Sequence, residues 1–174
     1  MTAILILMPL LLIIAAIIRL QDGGPSLFSQ QRVGKDGRIF RMLKFRSMVI
    51  NAESLGGFST ADRDPRITPV GRFIRRTSLD EVPQLLNVLV GDMSIVGPRP
   101  DVPAQRGLYT EDEWMLRHSV HPGITGLAQA TMRSEATKEQ RKAMDLEYAK
   151  NVSFALDVRI ILMTIKQVIF KGGN

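Results

Sequence analysis

Two adjacent carboxylates, Asp80 and Glu81, stand between the basic pair Arg75-Arg76 and an apolar run that includes Leu85 and Leu86. A carboxylate can act as a nucleophile or as a metal ligand, and arginines one turn upstream supply an anion-binding partner. Ser78 and Glu81 have capping-box spacing, and amide donors and the dipole at a helix start favour negative charge there. A carboxylate held in that setting is expected to stay ionised at neutral pH. The same residues also read as an ordinary well-capped helix with solvated charges. A second constellation is Pro98-Arg99-Pro100. Two prolines stiffen the loop, and a fixed guanidinium suits phosphate or carboxylate, although a surface arginine fits equally well. His118 and His121 have no carboxylate or cysteine at metal-site spacing, so they read as structural or substrate-adjacent.

The elements that position these groups belong to a chain of 174 residues, enough for one sizeable core. A net charge of +6 and an isoelectric point near 10.1 call for an acidic partner: nucleic acid, anionic lipid or a phosphorylated substrate. Aromatic residues make up only 6%, too few to supply the stacking platforms of single-stranded nucleic-acid binders. The absence of cysteine excludes disulfides, thiolate metal sites and cysteine nucleophiles together.

Residues 3–18 form an uncharged apolar run and read as a membrane segment. No basic stretch precedes the run and no small-residue cleavage site follows it, which argues against a signal peptide. It falls just short of the ~20 apolar residues of a bilayer span. Pro9 removes a backbone donor mid-run, so a bend at Met8-Pro9 is expected. A bent helix can return to the face it entered, leaving the 23 Lys and Arg on one side; a Pro-kinked span is the alternative. Residues 27–34 and 38–46 read as strands of a basic hairpin turned at Asp36-Gly37. Residues 54–69 read as a long loop, and 70–76 as a short helix with Phe73 and Ile74 inward.

A helix from about Asp80 places Pro83 in its first turn and stops at Gly91. Residues 93–96 are extended, and Thr110 caps a helix to His118 with Trp114 inward and Arg117 on the wet face. Ala128-Gln129-Ala130 reads as a short strand, and 138–150 as a polar helix. Residues 156–170 repeat apolar side chains at helical spacing, as an interfacial or a core helix does.

The ordered set Gln31-Arg32-Val33-Gly34, Lys44-Phe45-Arg46-Ser47-Met48, Asp64-Pro65-Arg66-Ile67-Thr68, residues 75–89, Gly97-Pro98-Arg99-Pro100, Pro122-Gly123-Ile124-Thr125-Gly126 and Tyr148-Ala149-Lys150-Asn151 covers nearly the whole chain. In this it resembles the bacterial sugar transferases, the monotopic polyprenol-phosphate phosphoglycosyl transferases. The resemblance implies an α+β fold: a re-entrant membrane helix over 1–22 and a small mixed catalytic domain over 23–174, with a short hairpin and interfacial amphipathic helices. It implies magnesium-dependent transfer of a phosphosugar from a UDP-sugar to a polyprenyl (undecaprenyl) phosphate, with UMP released. The work is placed at the cytoplasmic face of the bacterial inner membrane, among membrane lipid and with downstream glycosyltransferases as partners, and nucleic acid has no part in it.

By position, Asp80 is implied as the nucleophile and Glu81 as the carboxylate that shares the metal with it. Lys44, Arg75, Pro98, Arg99 and Arg133 are implied around the phosphates, Asp145 as a supporting contact, and Met8-Pro9 as the membrane bend. Family members usually have a basic segment before the apolar run, whereas this sequence starts at Met1-Thr2-Ala3. It also has Met8 where a serine precedes the bend proline, His121 for an arginine, and Thr131-Met132 for Asn-Gly. A catalytically silent adaptor that binds anionic lipid or a glycosyltransferase is the competing class, separable by turnover.

Overall fold

The computed structural model describes residues 2–56, 64–132 and 137–171, with side chains from residue 8 in the first helix and to residue 168 in the last. Helix α1 (Thr2–Asp22) runs unbroken past Pro9. Its inward stripe, Leu11, Ile14, Ala15 and Ile18, packs with Phe45, Ile74, Val70 and Leu79, so the helix is part of the domain's own core. Leu10, Ile13, Ile17 and Leu20 form the opposite, exposed stripe. Among the described residues, no helix is long and apolar enough to cross a membrane.

Strands β1 (Leu27–Val33) and β2 (Ile39–Phe45) pair antiparallel from Leu27↔Phe45 to Val33↔Ile39. The turn between them sets both Asp36 (φ 55°) and Gly37 (φ 75°) in the left-handed region, the conformation that makes Asp-Gly a hairpin signal. Alternate β2 side chains Phe40 and Met42 are buried with Met93, and Val88 and Ile124 pack against them.

Helix α2 (Ala52–Gly56) occupies the start of the expected 54–69 loop, while 57–63 lie outside the described residues. Helix α3 (Pro69–Arg76) starts with Thr68 accepting from Gly71 N at 2.9 Å and Pro69 in the first turn. Gly71 is needed for close approach, because a Cβ there would lie 1.8 Å from Ser47 O. Ile74 is buried as expected, but Phe73 is half exposed, since one helical step turns it away from α1 and Phe45.

The expected helix from Asp80 is two elements. Ser78 is left-handed (φ 57°) and makes no side-chain cap bond; a tight 3₁₀ turn, Leu79–Glu81, follows; and α4 (Gln84–Val90) starts only after Pro83. The capping-box reading therefore fails: with Ser78 in that conformation its hydroxyl meets no amide of the turn. Gly91 (φ 88°) ends α4 as expected.

Strand β3 (Ser94–Val96) pairs parallel with β4 (Gly123–Thr125), with α5 (Glu111–Arg117) in the connection. Thr110 and Glu113 form the capping box of α5. The backbones of the two strands approach so closely that a Cβ on Gly97 would meet His121 O at 2.3 Å. Ala128-Gln129-Ala130 is helical rather than extended, within α6 (Leu127–Met132), because the pairing that would make a strand is taken by Gly123–Thr125. Helices α7 (Lys138–Lys150) and α8 (Phe154–Lys171) close the domain, with Val96, Ala130, Tyr148 and Ile160 buried between them. Arg117, expected on the wet face of α5, is instead buried, and Met115 takes the exposed position.

The result is a small mixed α/β domain with two two-stranded sheets, one carrying Lys44 and the other leading into Arg99.

Candidate active site

Glu81 is the meeting point of three elements. Its Oε1 accepts from Lys44 Nζ of β2 at 3.0 Å and from Arg99 Nη2 of the post-β3 loop at 3.0 Å. Burial opposes ionisation of Glu81, but Arg99 and then Lys44, through charge and hydrogen bonding, outweigh it and hold the carboxyl at about 2. The adjacent Asp80 is in the opposite state. It is 8% exposed, and burial first, then the Glu81 charge, push its carboxyl up to about 6 against the pull of Lys44, Arg75 and Arg99. Those three cations act on it through charge alone, with no hydrogen bond from any of them. Two neighbouring carboxylates thus have separate roles: Glu81 is clamped, and Asp80 is undirected, dry and mostly ionised at neutral pH.

The Asp80-Glu81 turn is held on β2 by Asn87, a side chain 3% exposed on α4. Asn87 Oδ1 accepts from Leu43 N at 3.0 Å and its Nδ2 donates to Arg41 O at 2.9 Å, so one amide satisfies a residue pair on the β2 backbone. On the other side, the loop carrying Arg99 is secured by Arg117. Its guanidinium pairs with Asp101, with Asp145 Oδ2 at 2.7 Å, and with the Arg99 carbonyl at 2.8 Å. Neither Asn87 nor Arg117 was singled out as a site residue from the sequence. The available signal for Asn87 was a polar residue within the otherwise apolar run 85–90, and for Arg117 an arginine near the start of a dense motif region.

A family model described as bacterial sugar transferase matches residues 1–171 of this chain. The chain belongs to the bacterial sugar transferase family. Relatives of this chain include an undecaprenyl-phosphate glucose phosphotransferase of Komagataeibacter xylinus, 47% identical over 96% of this chain and 34% of that protein. An undecaprenyl-phosphate galactose phosphotransferase of Salmonella typhimurium is 42% identical over 88% of this chain and 35% of its own length. The exopolysaccharide production protein PSS of Rhizobium leguminosarum bv. phaseoli is 43% identical over 99% of this chain and 92% of its own. The chain therefore spans about a third of the first two relatives and nearly all of the third.

Of the residues named from the sequence, Lys44, Asp80, Glu81 and Arg99 come together, and Arg75 reaches Asp80 through charge. Pro98 is buried, and its carbonyl accepts from Gly123 N at 2.9 Å, so it anchors the loop. Asp145, 1% exposed, pairs with Arg117 and so supports Arg99 from behind. Met8 and Pro9 are exposed on α1, and Arg133 lies outside the described residues. His118 is buried with Nδ1 on Trp114 O at 2.9 Å. Its Nε2 is 3.6 Å from Asp101, too far for a hydrogen bond. Burial, aided by Arg117 and Arg106, outweighs the Trp114 contact and holds the imidazole near 4, so it is neutral and not an ion-pair partner. His121 is exposed.

Among the described residues, no group of three or more His, Cys, Asp or Glu is placed to hold a metal. The donor set at the site is two carboxylates, Asp80 and Glu81, with Lys44 and Arg99 both bonded to the same Glu81 oxygen. That set suits magnesium, which takes one or two carboxylates with substrate phosphate and water, and does not suit a closed protein cage.

Proposed function

We propose that this sugar transferase moves a phosphosugar from a UDP-sugar to a polyprenyl phosphate, with Asp80 as nucleophile. The observation that carries the reading is the contrast between the two carboxylates: Glu81 tied down by Lys44 and Arg99, and Asp80 beside it, ringed by cationic charge but bound by no donor from it. An Asp80 oxygen attacks the sugar-bearing phosphorus of the diphosphate. The bond from that phosphorus to the bridging oxygen breaks, and UMP leaves with the electron pair. A phosphate oxygen of the polyprenyl acceptor then attacks the same phosphorus, releasing the Asp80 carboxylate and forming polyprenyl diphosphosugar. Arg99, Arg75 and Lys44 supply fixed positive charge for the crowded phosphates, which an anionic nucleophile could not otherwise approach. Asp80 and Glu81 would hold magnesium, whose chemistry there is neutralisation of the diphosphate.

Membrane placement is part of the same proposal. An acceptor with a polyprenyl tail is presented at a bilayer, and the exposed apolar stripe of α1 gives the domain a surface for lipid. We place the catalytic face on the cytoplasmic side of the bacterial inner membrane, where UDP-sugars are available, with downstream glycosyltransferases receiving the product. The test is UMP release from a panel of UDP-sugars by the membrane-reconstituted protein with undecaprenyl phosphate. Turnover that stops in Asp80→Asn is the expected outcome, and wild-type turnover in that variant overturns the nucleophile assignment.

A further inference from the structure

We propose that Arg117 is a positioning residue for Arg99, holding the main chain of the residue whose side chain reaches Glu81. The proposal rests on the transfer reading above, in which Arg99 faces the diphosphate. Arg117 is 3% exposed, so it is out of reach of a substrate. It nevertheless grips Arg99 directly, with Nη2 on the Arg99 carbonyl at 2.8 Å, while Arg99 Nη2 contacts Glu81 at 3.0 Å.

The loop is fixed at four consecutive carbonyls. Pro98 O accepts from Gly123 N, Arg99 O from Arg117, Pro100 O from Arg32 Nη1 at 3.0 Å, and Asp101 O from Val33 N at 2.9 Å. The Arg99 carbonyl is therefore held by a side chain from a different element, α5, and Pro98 and Pro100 on either side leave it little torsional freedom.

The charge arrangement makes the same connection. Arg117 faces two buried carboxylates, Asp101 and Asp145, and so ties α5 and α7 to the Arg99 loop through one guanidinium. Asp145 also favours the charged state of Arg99, after the larger effect of Glu81. Arg99 is thus held from behind by hydrogen bonding through Arg117, which Asp145 in turn holds. A lysine at 117 keeps the charge but has no planar fork with which to meet Asp101, Asp145 and the carbonyl together.

The experiment is a pair of double-mutant cycles on the full chain. In turnover, Arg117→Lys is expected to lower kcat/KM on the order of 10²-fold, the scale of a small misplacement remote from the chemistry. That loss divides between kcat and KM as it does in Arg99→Lys, and the double variant stays within about twofold of Arg99→Lys alone. Losses that multiply overturn the proposal, since a merely structural arginine would act independently of Arg99. In denaturant unfolding, the coupling between Arg99→Met and Glu81→Gln is expected to fall by at least half in the Arg117→Lys background. Unchanged coupling overturns the proposal whether or not the protein turns over. Lost coupling in a wild type that releases no UMP overturns the transfer reading and leaves the tether standing. If Arg117→Lys does not fold, the isosteric Asp145→Asn takes its place in both cycles, and additive losses with intact coupling there overturn the proposal.

Discussion

The Asp80 carboxyl sits at about 6, against an ordinary 3.8, because burial and the Glu81 charge disfavour its ionised form. The folded protein therefore holds a proton that the unfolded chain releases between those two values. Asp80 contributes no penalty below about pH 4, costs stability as pH rises through the window, and carries the full cost above about pH 6. The gap corresponds to about 2–3 kcal/mol as an upper figure. Asp80→Asn, isosteric and uncharged, is thus expected to be more stable than wild type at pH 7.5 by up to that amount and equal to it below about pH 4. Denaturant unfolding in EDTA at a series of pH values reads this directly, and a destabilised Asp80→Asn at pH 7.5 would contradict it. At this scale the sequence was legible in residue type: an Asp-Glu pair near arginines pointed to a carboxylate with a cationic partner, and the structure sets Asp80 and Glu81 beside Arg75 and Arg99. The division of labour was not legible, because a capped helix start would have kept both carboxylates ionised alike, whereas burial of Asp80 beside Glu81 separates them.

At the scale of elements, the Asp80-Glu81 turn depends on an amide. Asn87 satisfies Leu43 N and Arg41 O on β2 while its own backbone carbonyl accepts from Asp92 N at 2.9 Å and Met93 N at 3.2 Å. Asn87→Ala leaves a buried donor and a buried acceptor without partners, at about 1–3 kcal/mol for each group. A loss of roughly 2–6 kcal/mol in unfolding free energy is expected, with turnover falling as α4 and the Asp80-Glu81 turn lose register against Lys44. A loss below about 0.5 kcal/mol, the scale of an ordinary surface change, would mean that the stitch carries no weight. The hairpin, the Thr110 cap of α5 and the stop at Gly91 were readable because each is dictated by local backbone chemistry. Asn87, Arg117 and the helical state of 128–130 were not, since each answers to a partner distant in sequence: the β2 backbone, Asp145 and the β3–β4 pairing.

For the whole molecule, the question is what the proposed membrane placement requires of α1. The inward stripe of α1 is committed to Phe45 and Ile74, and Arg46 pairs with Asp22 and reaches Ile18 O at 3.4 Å, so the C-terminal half of the helix moves with the rest of the domain. The outward stripe, Leu10, Ile13, Ile17 and Leu20, is exposed, and Phe154, Val158, Leu162 and Ile165 form a second exposed stripe along α8. Periodicity alone could not choose between a core and an interfacial α8, because the helix uses both faces: Ile160 is fully buried on one, and the stripe is exposed on the other. A helix fastened this way along the domain is expected to stay on one side of the bilayer, which keeps both of its ends on the side of Asp80. The chain has no cysteine, so single replacements Thr2→Cys and Gln21→Cys give unambiguous labelling with a membrane-impermeant maleimide. Both positions are expected to react in inverted inner-membrane vesicles and to be protected in intact spheroplasts. Labelling of Thr2→Cys only from the outer side would make α1 a span and place the start of the helix across the membrane from Asp80.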